Sequence, residues 1–241
     1  MWSEVLGPLS RAGFRVVALD LPGFGEAPAE IAGRAPDPWL RVLEAMDELA
    51  ITRAALIGNS YGGSVALRVA SVAPERLWAL MCVSALVPGL EPSPALTAAW
   101  EAEEAALEKG DLELAVQAVV DAWTLPDASP ALRARVARWQ RRAFELQRGV
   151  EPDPEEDDDA SDPLAAGVDS LAGLDTPLLA AVGALDMLDF QDGCEVLARV
   201  NDDARAVPIP GAGHLAPLEA PQEFLRLAVT FLRSSLEQGV P

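Results

Sequence analysis

Gly58-Asn59-Ser60-Tyr61-Gly62-Gly63 follows the apolar run Ala54-Ala55-Leu56-Ile57 and leads into Ser64-Val65-Ala66-Leu67-Arg68-Val69-Ala70. The first run reads as a buried strand and the second as a helix. A serine on a glycine-flanked turn between strand and helix has the geometry of a nucleophile elbow. The turn is too tight for large neighbours, so glycine is expected on both sides. It lifts the Ser60 hydroxyl above the sheet edge and points the next helix N-terminus at it. Ser60 is therefore the candidate covalent catalyst. The plain alternative is a glycine-rich turn whose serine only caps a helix.

A serine hydroxyl is a weak nucleophile at neutral pH and needs an adjacent base. Histidine suits that task because its pKa lies near the working pH. The chain has one histidine, His214, within Ile209-Pro210-Gly211-Ala212-Gly213-His214-Leu215. It sits on a glycine-rich turn after the short apolar segment Ala206-Val207-Pro208-Ile209. If an imidazole of this chain activates Ser60, it is His214. A loop histidine without a role is the bland alternative.

The third member is an acid that orients the imidazole. With 38 acidic residues in the chain, only the order Ser, then Asp or Glu, then His narrows the choice. Pro177-Leu178-Leu179-Ala180-Ala181-Val182 reads as a buried strand ending in Gly183-Ala184-Leu185-Asp186. That puts Asp186 at the strand's C-terminal end, where open α/β sheets gather ligands. Asp189 and Asp192 are the runners-up, and a helix cap or solvated loop charge suits them better.

Four segments in this order carry a family resemblance: Val17-Ala18-Leu19-Asp20-Leu21-Pro22-Gly23-Phe24-Gly25, Ile57 to Gly63, Val182 to Asp186, and Pro210 to Leu215. The tail Leu218-Glu219-Ala220-Pro221-Gln222-Glu223-Phe224 fits as well. The chain resembles the α/β-hydrolase superfamily, in its cap-bearing esterase, lactonase and C–C hydrolase group, over about residues 1–90 and 164–235. The resemblance implies an α/β fold, a mostly parallel sheet flanked by helices with a helical cap insertion. It implies Ser60 as nucleophile, Asp186 as acid, His214 as base and the Tyr61 N–H as one oxyanion donor. No cofactor is implied. Serine at the elbow argues against haloalkane dehalogenase chemistry, which uses aspartate there in this superfamily.

One departure matters. In these hydrolases earlier strands and a His-Gly loop precede the Asp-Leu-Pro-Gly-Phe-Gly segment, and that loop supplies the second oxyanion N–H. This sequence opens on Met1-Trp2-Ser3-Glu4, which resembles the helix just after that loop. The fold is therefore expected to be N-terminally truncated. A strand is missing between those expected at about 14–20 and 53–58. Either Met1 is internal to a longer protein, or the short chain is real and its sheet is repaired internally or by a partner.

The expected domain organisation is a core of residues 1–89 and 166–241, with a helical cap at 90–165. The core alternates helices at 1–12, 38–49, 60–73, 191–199 and 222–236 with strands at 14–20, 53–58, 77–83, 178–182 and 204–209. The cap shows helical patterns at 94–109, 111–123 and 129–148. Its aromatics Trp100, Trp123, Trp139 and Phe144 either line an acyl pocket or hold the cap together, the second being the default. Arg138, Arg141, Arg142 and Arg148 form a basic cluster, in which either one arginine binds a substrate carboxylate or the group is a solvated helix face, the second being the default. Residues 151–162 hold eight acidic residues and two prolines, read as a mobile linker. Their spacing lacks the alternation of a calcium-binding loop.

The net charge of −20 argues against nucleic acid and anionic membrane as partners. Half the residues are hydrophobic, yet no apolar run reaches transmembrane length and no signal peptide is visible. The expectation is a cytoplasmic protein acting on a small molecule, with a homodimer left open. Cys82 reads as a core residue, and neither Cys82 nor Cys194 has metal-ligand spacing. The function expected is a serine-dependent hydrolase of a small carboxylic ester, lactone or related carbonyl compound. The competing reading is a non-catalytic binding or scaffold protein that kept the fold.

Overall fold

The computed structural model describes residues 1–30, 37–150, 162–200 and 204–237. Four strands form one parallel sheet in sequence order: β1 (Ala54–Asn59), β2 (Leu77–Val83), β3 (Leu178–Gly183) and β4 (Arg205–Ile209). Leu56 of β1 pairs with Leu80, which pairs in turn with Leu178 of β3.

Alternation along the strands builds two apolar layers. Leu80, Cys82, Leu178, Ala180 and Val182 face α2 (Pro38–Glu48), α3 (Tyr61–Val72) and α7 (Leu188–Leu197). Ala79, Met81, Val83, Leu179 and Ala181 face α1 (Ser3–Arg11) and α9 (Pro221–Glu237). A parallel sheet covered on both faces needs near-continuous apolar strands, and Leu77–Val83 is one. Both cysteines are free and buried. Burial pushes the Cys82 thiol well above its usual range and the Cys194 thiol up to about 11, so both behave as core residues.

Between β2 and β3 the chain inserts α4 (Pro94–Glu108), α5 (Leu112–Trp123) and α6 (Pro130–Gln147). Each is started by a side-chain cap. Ser93, Asp111 and Ser129 accept the N–H of Leu96, Leu114 and Leu132. Pro94 and Pro130 follow two of those caps at the first helical position, where no N–H is needed. The three helices share a third apolar cluster with Leu215 and Leu218, the latter in the short α8 (Ala216–Glu219). The insertion is thereby packed onto the His214 loop.

The segment 14–20 departs from expectation. It is not a strand of the sheet, and Val16–Leu19 form no backbone–backbone hydrogen bond among the described residues. Phe14 and Val16 do pack into the α1/α9 layer. What fails is pairing. A cavity of about 1370 Å³ runs between Phe14–Leu21 on one side and Arg53–Asn59 on the other. A strand exists only through a neighbour's hydrogen bonds, and among the described residues none pairs with this segment. The gap foreseen between these segments is present as a groove along the β1 edge.

The acidic run falls mostly on residues 151–161, outside the described residues. Its last member, Asp162, is described and makes a two-pronged ion pair with Arg68 of α3, with Nε–Oδ1 at 2.9 Å.

Candidate active site

β1 runs into the elbow without a break. Ser60 follows Asn59 with φ 53° and ψ −123°, a left-handed backbone rarely adopted outside glycine. Such strain persists only where the surroundings fix it. Here the Ser60 N–H donates to Val83 O at 2.8 Å, pinning the turn to the end of β2. A Cβ at Gly58 would sit 2.1 Å from Gly62 O, so glycine is obligatory before the serine. The glycine expected on the other side of the serine is present too, though not at Gly62, where a Cβ meets nothing within 4 Å. The tight partner is Gly63, whose Cβ would press on Ala85.

β3 ends at Gly183 and the chain turns to Asp186, whose N–H donates back to Gly183 O at 3.0 Å. The Met187 N–H donates to Asp186 Oδ1 at 2.8 Å, fixing the carboxylate. The loop after β4 carries His214. Its Nδ1 lies 3.1 Å and 3.2 Å from the two Asp186 oxygens, and its Nε2 lies 2.7 Å from Ser60 Oγ. His214 is 6% exposed and Asp186 9%. Three residues far apart in sequence thus form one hydrogen-bonded chain at the C-terminal edge of a parallel sheet. Such an arrangement can deprotonate the serine and stabilise the resulting imidazolium.

The runners-up lie elsewhere. Asp189 accepts the Ser93 N–H at 2.6 Å and its hydroxyl at 2.7 Å, tying the start of α4 to α7. Burial opposes its charge, but the two Ser93 donors still hold the carboxyl below its usual range. Asp189 thus lies outside the triad as expected, but it caps neither helix: α4 is capped by Ser93 itself, and Asp189 tethers that cap from the first turn of α7. Among the described residues no hydrogen bond or ion pair ties Asp192 to the site. In the basic cluster, Arg141 pairs with Glu113 at 2.5 Å and Arg142 lies 3.7 Å from Glu26.

Several contributors were not singled out from the sequence. Glu219 accepts three backbone N–H groups, from Gly213 at 2.9 Å, Leu215 at 3.2 Å and Leu125 at 2.9 Å. It therefore clamps both sides of His214 and joins them to the insertion. Asn59 Nδ2 donates to His214 O at 3.1 Å. Trp123 and Phe190 flank the imidazole with ring centroids at 4.5 Å and 4.3 Å. Trp123 carried an apolar-pocket reading from sequence, but its stacking on His214 had no local signal. Phe24 packs on Tyr61 at 5.6 Å. Gly25 is held at φ +59°, and a Cβ there would strike the Asp20 carboxylate, which accepts the Glu26 N–H at 3.1 Å.

The cavity beside Ser60 and His214 reaches under the insertion, where Val119, Trp123, Val136 and Trp139 supply apolar surface. Glu103 and Gln140 line it too. Burial pushes the Glu103 carboxyl above its usual range. Among the described residues, no helix is long and apolar enough to cross a membrane.

Residues 1–227 match the model of the alpha/beta hydrolase family. The chain belongs to that family. Over 233 residues it is 29% identical to the dihydrolipoyllysine-residue acetyltransferase component of the acetoin cleaving system of Pseudomonas putida, covering 94% of this chain and 58% of that protein. Over 81 residues it is 42% identical to the 2-hydroxy-6-oxo-6-phenylhexa-2,4-dienoate hydrolase of Comamonas testosteroni, covering 32% of this chain and 28% of that protein. The chain thus spans little more than half, or less, of these curated relatives. The enol-lactonase of Burkholderia xenovorans LB400 superposes with a TM-score of 0.72 at 21% identity, over 96% of this chain and 85% of that one. At that identity the likeness concerns the fold.

Proposed function

We propose that this alpha/beta hydrolase family member is a serine hydrolase of small carboxylic esters, lactones or related carbonyl compounds, working through an acyl-enzyme. The observation that carries the reading is the 2.7 Å approach of His214 Nε2 to Ser60 Oγ on a strained elbow, with Asp186 behind the imidazole. His214 Nε2 takes the hydroxyl proton as Oγ bonds to the carbonyl carbon. The carbonyl oxygen, now an oxyanion, accepts the Tyr61 N–H, a first-turn donor of α3 with no acceptor in its own helix. The imidazolium passes its proton to the leaving alkoxide as the C–O bond breaks. Water, deprotonated by His214, then releases the acid and restores Ser60.

The helical insertion acts in this reading as a cap. Its wall of Val119, Trp123, Val136 and Trp139 suits an apolar acyl or ring group.

The reading is tested by labelling the 241-residue chain with a fluorophosphonate, read by intact mass, beside turnover of a p-nitrophenyl ester. One adduct is expected, absent in Ser60→Ala, with turnover lost about 10³-fold or more in Ser60→Ala and His214→Ala. Undiminished turnover in folded variants would sink the site assignment.

A further inference from the structure

We infer that the insertion's wall of the cavity carries a subsite for a cationic amine, so that the preferred substrate has an ammonium group at the far end of its acyl chain. The inference rests on the serine-hydrolase reading above and adds a substrate class to it. Glu103 of α4 lines the cavity that holds Ser60 and His214. Among the described residues it makes no hydrogen bond and no ion pair. The positions three and four away on its helix are Ala99, Trp100, Ala106 and Leu107, so no cation of α4 pairs with it. Burial pushes its carboxyl above the usual range, and no neighbouring charge pulls the other way. An acid facing inward on a mostly apolar wall costs free energy until a partner arrives. Alanine or leucine would pack there without that cost.

The surroundings decide what that partner is. Gln140 of α6 lines the same cavity, and its side-chain amide also lacks a hydrogen bond among the described residues, so its oxygen is a second open acceptor. Trp123 and Trp139 add ring surface. Trp139 already holds the Arg135 guanidinium 5.3 Å from its ring centroid and is still 37% exposed. A counter-charge, open acceptors and aromatic faces together match an ammonium group. The other charged side chains of the cavity are engaged elsewhere. Arg142 lies 3.7 Å from Glu26, and Asp20 accepts the Glu26 N–H. Arg15 donates to Leu49 O at 3.5 Å, and Arg53, at the end of β1 remote from Ser60, donates to Leu77 O at 3.0 Å. The Arg135 charge is paired with Glu4 at 2.7 Å. The net charge of −20 draws cations toward the molecule as a whole.

The substrate is thus read in two parts. Its apolar chain lies along Val119 and Val136 with the carbonyl at Ser60, and its ammonium tip reaches Glu103. A cation placed there favours the ionised carboxyl that burial disfavours. A hydroxyl at the same place gains a hydrogen bond but no charge pairing, so the two tips are separable by experiment.

The test uses the full chain and the p-nitrophenyl esters of 6-aminohexanoate, 6-hydroxyhexanoate and heptanoate, which differ only in an ammonium, hydroxyl or methyl tip. With each kcat/KM corrected for spontaneous hydrolysis, the amino ester is expected to exceed heptanoate by about tenfold or more, with the hydroxy ester between them. Glu103→Gln keeps the shape, removes the charge and brings the amino-to-heptanoate ratio close to one. Glu104→Gln removes the same charge from an exposed neighbour that does not line the cavity, and keeps the ratio. A ratio near one in the unaltered chain, with heptanoate ester turnover that Ser60→Ala abolishes, overturns the subsite and leaves the serine-hydrolase reading standing. An equal fall in both glutamate variants, which assigns the preference to the overall charge, also overturns it, as does a hydroxy ester turned over as well as the amino ester. Binding of hexylammonium, followed by tryptophan fluorescence, gives a readout without turnover. It should be about tenfold tighter than that of hexanol and weaken about tenfold in Glu103→Gln, and equal binding overturns the proposal even where no ester is cleaved.

Discussion

β1 and β2 are neighbouring parallel strands with similar apolar sequences, Ala54-Ala55-Leu56-Ile57 and Leu77-Trp78-Ala79-Leu80, and they meet different fates. β2 is buried along nearly its whole length. β1 is half-buried over its first four residues and buried only at Gly58 and Asn59. The difference lies not in the strands but in their company, because among the described residues β2 has a neighbour on each side and β1 has one. The site divides along the same line. Asp186 and His214 stand on the closed side, held by the ends of β3 and β4, whereas Tyr61 and Gly62 look into the open groove. The closed side is over-determined, with the His214 loop fixed from Asn59, Glu219, Trp123 and Phe190.

That contrast can be broken most severely at Glu219. Glu219→Ala leaves three backbone N–H groups around His214 without their acceptor. We expect a loss of about 3 kcal/mol in stability and a drop of about 100-fold in kcat, read by urea denaturation and ester turnover. A stable, fully active variant would show that the closed side owes little to this clamp.

The contrast is sharpened by making one substitution in both strands. Leu80 is fully buried and Leu56 only partly so. Leu80→Ala should cost about 3 kcal/mol and Leu56→Ala about 1 kcal/mol, measured as shifts in the urea midpoint at unchanged m-value. Equal losses would mean that the β1 edge is as well covered as the centre of the sheet.

A smaller effect is expected at the seam between α4 and α7. Asp189→Asn removes the charge that accepts two hydrogen bonds from Ser93 and should cost about 1 kcal/mol at pH 7. Because the folded Asp189 carboxyl lies below its usual range, its contribution is present above the ordinary carboxylate pKa. It fades as pH falls through the lower, folded value. The gap between wild type and variant should therefore close under acid, which thermal melts across pH 7 to 2 would reveal.

The sequence was legible where a residue's environment is local. Leu77–Val83 appears as the strand read from its composition, and α4 and α6 begin after the Ser-Pro pairs that mark their starts. Ser60 and His214 stood out because a left-handed elbow and a glycine-rich turn leave local signatures. Asp186 emerged from chain order and from its place just after the apolar run Pro177–Val182, which also set it apart from Asp189. Legibility failed where tertiary company decides. Phe14–Asp20 reads as a strand from its apolar residues, yet among the described residues it has no partner to ladder with. Glu219 is one acid among 38, and its role exists only because α8 folds back beneath His214. The glycine pair after Ser60 did not show which of its members is crowded, and it is Gly63.

The sole imidazole of the chain sits between two aromatic rings. Every imidazole resonance in a proton spectrum of this protein therefore comes from the site itself, without labelling or assignment by mutation. The flanking Trp123 and Phe190 rings displace that resonance from its free-peptide position, so its shift reports whether the insertion and α7 are seated on the loop. The molecule carries its own spectroscopic gauge of the assembled state, readable at each pH and with each ligand.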